Sequence, residues 1–173
     1  QRQMCIRDSR HSGISMVYSS GEPRETEAYA LFAHILAAKT HTGALHFFDT
    51  VSAKNLPSTQ ASLLQVPLAS EPSELSDVTI NGIFSDVNER LGTDIQALRV
   101  LGAHATDTVA VMLGAETTKL SAHVPIVSLH LVRPLSARCL VDSIPTSVKR
   151  VAVLEHSSKR CLLYTSDAAD ERF

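Results

Sequence analysis

Apolar residues recur along the chain with two spacings, and each spacing predicts a different kind of element. Two segments repeat apolar residues every three or four positions, which is the spacing of a helix with one buried face. These segments run from about Pro23 to Lys39 and from Ser76 to Leu91. The predicted buried faces consist of Ala28, Leu31, Phe32, Ile35 and Leu36 in the first helix and of Ile80, Ile83, Phe84, Val87 and Leu91 in the second.

Short apolar runs between these helices, and after them, predict strands. The runs are Ile14–Tyr18, Ala44–Phe48, Leu98–Leu101, Asp107–Leu113, Val124–Val132 and Lys149–Leu154. The later runs are apolar at consecutive positions, which is typical of parallel strands that are buried on both faces. We therefore expect Val153 to lie in a buried strand, with Leu154 facing the opposite side of the sheet.

Glycine and proline mark where the helices end. Gly43 and Gly92 follow the two long helices, and glycine is the usual residue just past a helix. Between the turn at Arg133-Pro134 and Pro145 lies a short apolar segment that predicts a third helix. With the strand before it and the strand after it, this helix predicts a βαβ unit of a parallel sheet.

This unit carries a resemblance to a known family. Its matching residues are Arg133, Pro134, Leu135, Ile144, Pro145, Ser147, Val148 and Ala152 to Glu155. They resemble a segment of the pyruvate:ferredoxin oxidoreductase family and, within it, the N-terminal region of the fungal sulfite reductase (NADPH) flavoprotein components. His46 to Asp49 resemble the His-Phe-Phe-Asp strand end of the first domain of that family, although Thr50 stands in place of its glycine. Further matches are Leu91-Gly92, Gly102 and Gly114-Ala115.

The resemblance implies an α/β fold in two units. Residues 10–50 would be the C-terminal end of a thiamin-fold-like domain, on the side that binds the pyrimidine ring. Residues 51–75, with three prolines and many polar residues, would be a linker. Residues 76–160 would be a small parallel-sheet domain like the C-terminal domain of transketolase. Its crossover between Gly114 and Pro125 is short for a parallel connection, with helical material only from Glu116 to Ala122.

Both ends of the chain resemble translated sequencing adapter. Gln3–Ser9 can be encoded by codons whose reverse complement, read in one frame, encodes Cys161–Ser166, and two ends of one natural protein have no reason to be related in this way. We therefore expect residues 1–9 and 161–173 to be adapter-like segments that carry no fold information.

Composition limits the remaining possibilities. A net charge of −2, few aromatic residues and no tryptophan give no basic or stacking surface for nucleic acid. No apolar run is long enough for a membrane span, and we expect a cytoplasmic protein.

Outside the adapter-like ends Cys139 is the one cysteine that remains, which excludes a disulfide framework and is consistent with a reducing compartment. A buried structural thiol is the favoured interpretation of Cys139, against a reactive nucleophile.

Candidate chemistry is sparse. His46 is favoured as a structural residue over a catalytic base, and Asp49 as a turn cap over a cleft residue. Glu116 is favoured as a first-turn helix charge over a ligand contact. The remaining histidines have no metal-ligand spacing, and the chain lacks CxxC, GxGxxG and phosphate-loop motifs. We therefore predict no catalytic, cofactor-binding or metal-binding residue. The scattered histidines considered for a metal cluster are His104, His123, His130 and His156.

The resemblance implies a parent oxidoreductase and leaves three interpretations open. The favoured one is a non-catalytic region of a sulfite reductase flavoprotein, whose other modules would bind FAD and NADPH. The second is a fragment of a 2-oxoacid:ferredoxin or flavodoxin oxidoreductase, with thiamin diphosphate and iron–sulfur clusters. The third is a non-catalytic scaffold domain. The implied partners are other domains of the parent chain and a sulfite reductase hemoprotein subunit, with neither nucleic acid nor membrane. We expect no activity from the fragment alone.

Overall fold

The computed structural model describes residues 13–20, 22–48, 66–102, 107–113 and 121–155. These residues form a mixed α/β structure with two small mixed sheets and three helices. The helices are α1 (Pro23–Thr40), α2 (Asp77–Leu91) and α3 (Ala137–Ser143). The strands are β1 (Ser15–Ser19), β2 (Ala44–Phe48), β3 (Leu98–Leu101), β4 (Thr108–Leu113), β5 (Ile126–Leu129), β6 (Leu131–Arg133) and β7 (Arg150–Glu155).

The first sheet has the strand order β2-β1-β6. β1 and β2 are parallel, with Val17 opposite His46, and they are connected by α1. β6 pairs antiparallel with β1. Both long helices pack together beside this sheet, so that the largest buried cluster joins α1, α2, β1 and β6. Every predicted buried-face residue of α1 is buried, and so are Ile80, Ile83, Phe84 and Val87 of α2.

The ends of α1 and α2 follow from their capping residues. Pro23 begins α1, whose N-cap Glu22 accepts a hydrogen bond from the Glu25 amide at 2.8 Å. Ser76 caps α2, and Gly92 ends it in the left-handed region at φ 61°, as predicted. The expectation that Gly43 ends α1 is wrong. The helix reaches Thr40, so His41 takes the left-handed position at φ 53°, and its Nε2 lies 2.9 Å from the Ala69 carbonyl oxygen.

The second sheet has the strand order β3-β5-β4-β7. β5, β4 and β7 are mutually parallel, which confirms the predicted parallel arrangement of these three apolar strands. β3 adds to β5 antiparallel and makes the sheet mixed. α3 covers part of one face, where Leu140 and Ile144 pack against the buried valines of β4 and β5.

The predicted strand Val124–Val132 is two strands, because the chain leaves one sheet and enters the other at His130. Ala97 holds this junction, since its carbonyl oxygen accepts from the amides of both His130 and Leu131 at 3.0 Å. On the far side, the Tyr18 amide donates to the His130 carbonyl oxygen at 2.7 Å. One continuous stretch of backbone therefore ties the two sheets together.

The expectation of a buried β7 is wrong. The strand forms and is parallel to β4, but Val153 is 71% exposed and Leu154 is 42% exposed. Among the described strands, β7 has only β4 as a neighbour. The short helix α3 contacts β3, near the opposite edge of the sheet, and among the described elements only β4 packs closely on β7.

Several predictions fall wholly or partly outside the described residues. The adapter-like ends 1–9 and 161–173 lie outside them, as do residues 51–65 of the predicted linker. Residues 66–75 form neither helix nor strand, but they dock on the end of α1, where the Ser73 amide donates to the Lys39 carbonyl oxygen at 2.7 Å. Of the helical material predicted over 116–122, only residues 121 and 122 are described, and they form a turn.

Candidate functional site

Polar side chains converge where β1 ends and α1 begins. The first turn of α1 carries the Glu25 carboxylate, which is favoured at the positive end of a helix. Glu25 accepts a hydrogen bond from the Ser20 hydroxyl, just past β1. The turn between a parallel strand and the following helix is a common location for ligand sites in α/β sheets. This position is therefore the candidate functional site of the described structure.

His130 is the buried centre of this cluster, with only 3% of its surface exposed. Its Nδ1 lies 3.1 Å from the Tyr18 carbonyl oxygen and 3.3 Å from Oε1 of Glu25. Its Nε2 lies 3.3 Å from the Ser128 hydroxyl. The imidazole also stacks on the Tyr29 ring, with ring centroids 4.8 Å apart and planes inclined by 5°. A single side chain thus contacts β1, α1 and β5.

These partners determine the protonation of His130. Nδ1 faces two acceptors, a carbonyl and a carboxylate, so Nδ1 carries the proton and donates it. Nε2 then accepts from the Ser128 hydroxyl. Burial lowers the pKa of His130, and the Glu25 carboxylate opposes that shift. The neutral imidazole is therefore the form that the folded chain favours.

Tyr29 completes the cluster from α1. Its hydroxyl donates to the Gln96 carbonyl oxygen at 2.7 Å, which anchors the segment before β3 to the helix. Burial, and then the charge of Glu25, raise the pKa of Tyr29 above its ordinary range. Tyr29 therefore stays protonated and acts as a hydrogen-bond donor rather than as a proton-transfer group.

A second polar group lies on the other side of α1. Ser19, which is fully buried at the end of β1, donates to Oγ1 of Thr26 at 3.3 Å. Nε2 of His46 lies 2.9 Å from the same Ser19 oxygen. With the serine proton directed to Thr26, the Ser19 oxygen is left as an acceptor for a protonated Nε2 of His46, and the three side chains join β1, α1 and β2. Burial, and then His34, lower the pKa of His46.

A groove of about 220 Å³ opens beside this second group, between the outer side of α1 and β2. His34 and His46 provide its polar atoms, and alanine methyl groups provide the rest of its lining. A much smaller cavity of about 20 Å³ lies between α2 and α3. Asp77 and Cys139 are among the residues that line the smaller cavity. It has room for about one water molecule.

The favoured interpretation of Cys139 as a buried thiol is wrong, because this side chain is exposed. The reason lies in α3, which is only seven residues long and has no buried residue. The packing of this segment comes from Leu140 and Ile144, whereas Cys139 is not among the residues that contact the valine cluster. The thiol lies in contact with solvent beside the small cavity.

The structure brings together a different set of residues from those considered in the sequence. His46 is bonded to Ser19, His123 is exposed, and Asp49, His104, Glu116 and His156 lie outside the described residues. The contacts of His130 with Glu25 and Tyr29 were not predicted. One signal was available, since His130 interrupts the apolar run Val124–Val132, and a polar residue within such a run needs a buried partner.

Metal-ligating side chains do not gather in the described part of the chain. No group of three or more His, Cys, Asp or Glu residues there is placed to hold a metal ion. Among the described helices, none is long and apolar enough to cross a membrane. The side chains that do converge at His130 and at Ser19 hold neighbouring elements together. Neither a protein-family model nor a curated protein matches this chain.

Proposed function

We propose that this chain is an internal region of the flavoprotein component of an NADPH-dependent sulfite reductase, where it has a structural and interaction role. The parent protein passes electrons from NADPH through flavin toward sulfite reduction. FAD and NADPH are bound by modules further along the parent, not by the segments matched here. The parent functions in the cytoplasm with a sulfite reductase hemoprotein subunit as its partner.

The observation that carries this proposal is the fold of the segment with the family resemblance. Arg133 and Pro134 end the strand that leaves the first sheet, α3 follows, and β7 returns to the second sheet parallel to β4 and β5. The Pro145-Thr146-Ser147 segment lies between α3 and β7, where the family pattern has its Leu-Pro-x-Ser turn. This strand–helix–strand order supports the resemblance to a small transketolase C-terminal-like domain.

The polar clusters support the structural part of the proposal. His130 is 3% exposed and uses both ring nitrogens on neighbouring elements. Ser19 is fully buried and bonded to two elements. Catalytic groups must reach a bound substrate, whereas these groups use their hydrogen bonds to connect strands and helices.

A 2-oxoacid:ferredoxin or flavodoxin oxidoreductase is the alternative parent, with thiamin diphosphate and iron–sulfur clusters as its cofactors. The observation that favours it is the parallel β1–α1–β2 unit, in which His46 and its neighbours lie on a strand as the first-domain motif implies. Under either parent, this region contributes a scaffold that packs against other domains of the same chain.

The decisive experiment is to determine the coding sequence downstream of Glu155 in the source transcript. The proposal predicts flavin-binding and NADPH-binding modules in the same reading frame. Cysteine-rich ferredoxin motifs there would support the alternative parent. A stop codon with neither kind of module would overturn both and leave a scaffold domain that acts alone.

An activity assay of the chain itself tests the non-catalytic role. The purified chain is incubated with NADPH and an artificial electron acceptor, and separately with pyruvate, thiamin diphosphate and viologen. We expect rates equal to a protein-free blank in both assays. Turnover that is lost in His46→Gln and retained in His34→Gln would contradict the structural role of the Ser19–His46 pair.

A further inference from the structure

The second turn of α2 contains an asparagine followed by a glycine, Asn81-Gly82. A methyl group built on Gly82 meets no heavy atom of the described chain within 4 Å, so packing does not require the glycine. Glycine inside a helix destabilises it relative to alanine. Both residues are exposed, whereas their neighbours Ile80 and Ile83 are buried. The pair is thus a chemical feature that the fold itself does not explain.

An asparagine followed by glycine is suited to an intramolecular reaction. The Gly82 nitrogen can attack Cγ of Asn81, because glycine has no side chain to obstruct the approach. A bond forms between these two atoms, and the side-chain nitrogen of Asn81 leaves as ammonia, which takes up the Gly82 amide proton. Water then opens the resulting five-membered ring, at one carbonyl to give aspartate or at the other to give isoaspartate. The net reaction consumes water, releases ammonia and needs no oxidant or cofactor.

The helix holds this reaction back. In α2 the Gly82 amide is directed to the carbonyl oxygen four residues earlier, as in every turn of an α-helix. The attack requires this amide to be released and the backbone at Asn81 to leave the helical conformation. The reaction can therefore proceed only in molecules in which the first turn of α2 has opened.

Few contacts hold the first turn of α2 within the described part of the chain. The oxygen of its cap, Ser76, accepts from the Thr79 amide at 3.3 Å, which is long for a hydrogen bond. Asp77 adds one exposed hydrogen bond to α3 at 3.2 Å. Val78 is 83% exposed, so the residue of this turn that reaches the core is Ile80. Helix ends with little buried surface open locally, so this turn should open without unfolding of the whole chain.

We propose that Asn81-Gly82 is a deamidation site, protected by α2 and modified when the first turn of this helix opens. Isoaspartate carries the main chain through the side-chain carboxyl and so adds a methylene group between residues 81 and 82. The hydrogen-bond spacing of a helix cannot continue across this insertion. Modification therefore separates Ile80 from the rest of the buried face of α2. The inference is independent of the identity of the parent, because it rests on this segment alone.

Asn88 provides a control within the same helix. Its Oδ1 accepts from the Ile95 amide at 2.8 Å, and its Nδ2 donates to the Ile95 carbonyl oxygen at 3.0 Å. The residue that follows it is Glu89, whose side chain obstructs attack by the backbone nitrogen. We therefore expect Asn81 to react while Asn88 stays intact.

The first test is peptide mass spectrometry of the full chain during incubation in mildly alkaline buffer. Tryptic cleavage after Lys54 and Arg90 gives one peptide that contains Asn81 and Asn88, and fragmentation assigns the amide-to-acid change to one of them. We expect conversion at Asn81 in the folded chain, and conversion at least about tenfold faster in guanidinium chloride, where the helix is open in every molecule. Equal rates in both conditions, or no conversion of the folded chain, would overturn the proposal.

Variants of α2 test whether opening of the first turn controls the rate. Ser76→Ala should raise the rate by about fivefold, because losing an N-cap increases the open population by that factor. Gly82→Ala should lower the rate by more than about fivefold, since alanine obstructs the attack and strengthens the helix.

The matched control is Ser85→Ala, the same substitution at an exposed position of α2 beyond the turn that opens. It should leave the rate at Asn81 within about twofold of the wild type. An unchanged rate in Ser76→Ala, or an equal change in Ser85→Ala, would contradict opening of the first turn as the controlling step. Acceleration at Asn88 together with Asn81 would contradict it too, since that result indicates unfolding of the whole helix.

Discussion

Two apolar strands, β1 in the first sheet and β7 in the second, differ in how far they are buried. All five residues of β1 are buried, because β2 and β6 flank it and the α1 helix packs on it. All four residues of β7 from Val151 to Leu154 are exposed, although this run is the more apolar of the two. An apolar run therefore predicts that a strand forms, whereas its burial depends on which elements pack around it.

Replacing a valine by aspartate in β4 and, in a separate variant, in the adjacent strand β7 should give the largest difference in the free energy of unfolding. Val111 of β4 is 5% exposed and Val153, its partner in β7, is 71% exposed. We expect Val111→Asp to cost about 5 kcal/mol, because it buries an unpaired carboxylate, and Val153→Asp to cost less than about 1 kcal/mol. Urea midpoints of the two variants give the comparison. Similar midpoints would mean that β7 is buried in solution.

Truncation of the main core tests whether the two regions are one cooperative unit. Phe32 is fully buried and stacks on Phe84 with ring centroids 4.0 Å apart. Phe32→Ala should cost about 3–5 kcal/mol through lost packing and the cavity that remains. β5 of the second sheet continues directly into β6 of the first sheet. Loosening of the main core should therefore reach both sheets, and amide hydrogen exchange should become faster in β4 as well as in β1. Unchanged protection of β4 would show that the second sheet unfolds independently.

Acid should weaken the junction between the regions. Folding lowers the pKa of His130, and that of His46, below the ordinary histidine value of about 6.5. The folded state favours the neutral imidazoles of both residues. Their contribution to the free energy of unfolding is therefore complete above the ordinary histidine pKa and is lost as the pH falls below it. The urea midpoint should therefore decrease between pH 7.5 and pH 5.5.

His130→Gln and His46→Gln give the control for this pH effect. Each should reduce the slope of stability against pH, and His130→Gln should also lower stability at pH 7.5, since a buried stacked ring is lost. An unchanged slope in His130→Gln would show that this imidazole is not responsible for the acid sensitivity.

Two glycines of α2 should give the smallest effects, with opposite signs. Gly82 lies inside the helix and a methyl group there meets no atom within 4 Å, so Gly82→Ala should stabilise by about 0.5–1 kcal/mol. Gly92 has φ 61°, so Gly92→Ala should destabilise by about 1 kcal/mol. Thermal unfolding monitored by circular dichroism measures both. A shift of the same sign in both variants would contradict the helix ends described here.

Much of the secondary structure was predictable from local patterns. The periodicity and capping residues of α1 and α2 determine where these helices begin, because a helix buries a stripe that is visible in the sequence. The predicted end of α1 near Lys39 is close to the observed end at Thr40, but the capping residue was misplaced at Gly43, since a non-glycine residue, His41, accepts the left-handed conformation when its ring bonds Ala69. The candidate site was not predictable from motif spacing, because His130 lies far along the chain from Glu25 and Tyr29, which are one turn apart on α1.

The sequence by itself determined the helices, the six apolar runs that become strands, and the parallel direction of the three later apolar strands β4, β5 and β7. These features depend on interactions between residues close in the chain and on general rules of connection. Only the tertiary structure decided that Val124–Val132 divides at His130 between two sheets, and that Cys139 and residues 151–154 of β7 are exposed. Burial is a property of what lies nearby in space, and a residue's sequence neighbours do not specify which elements come to cover it.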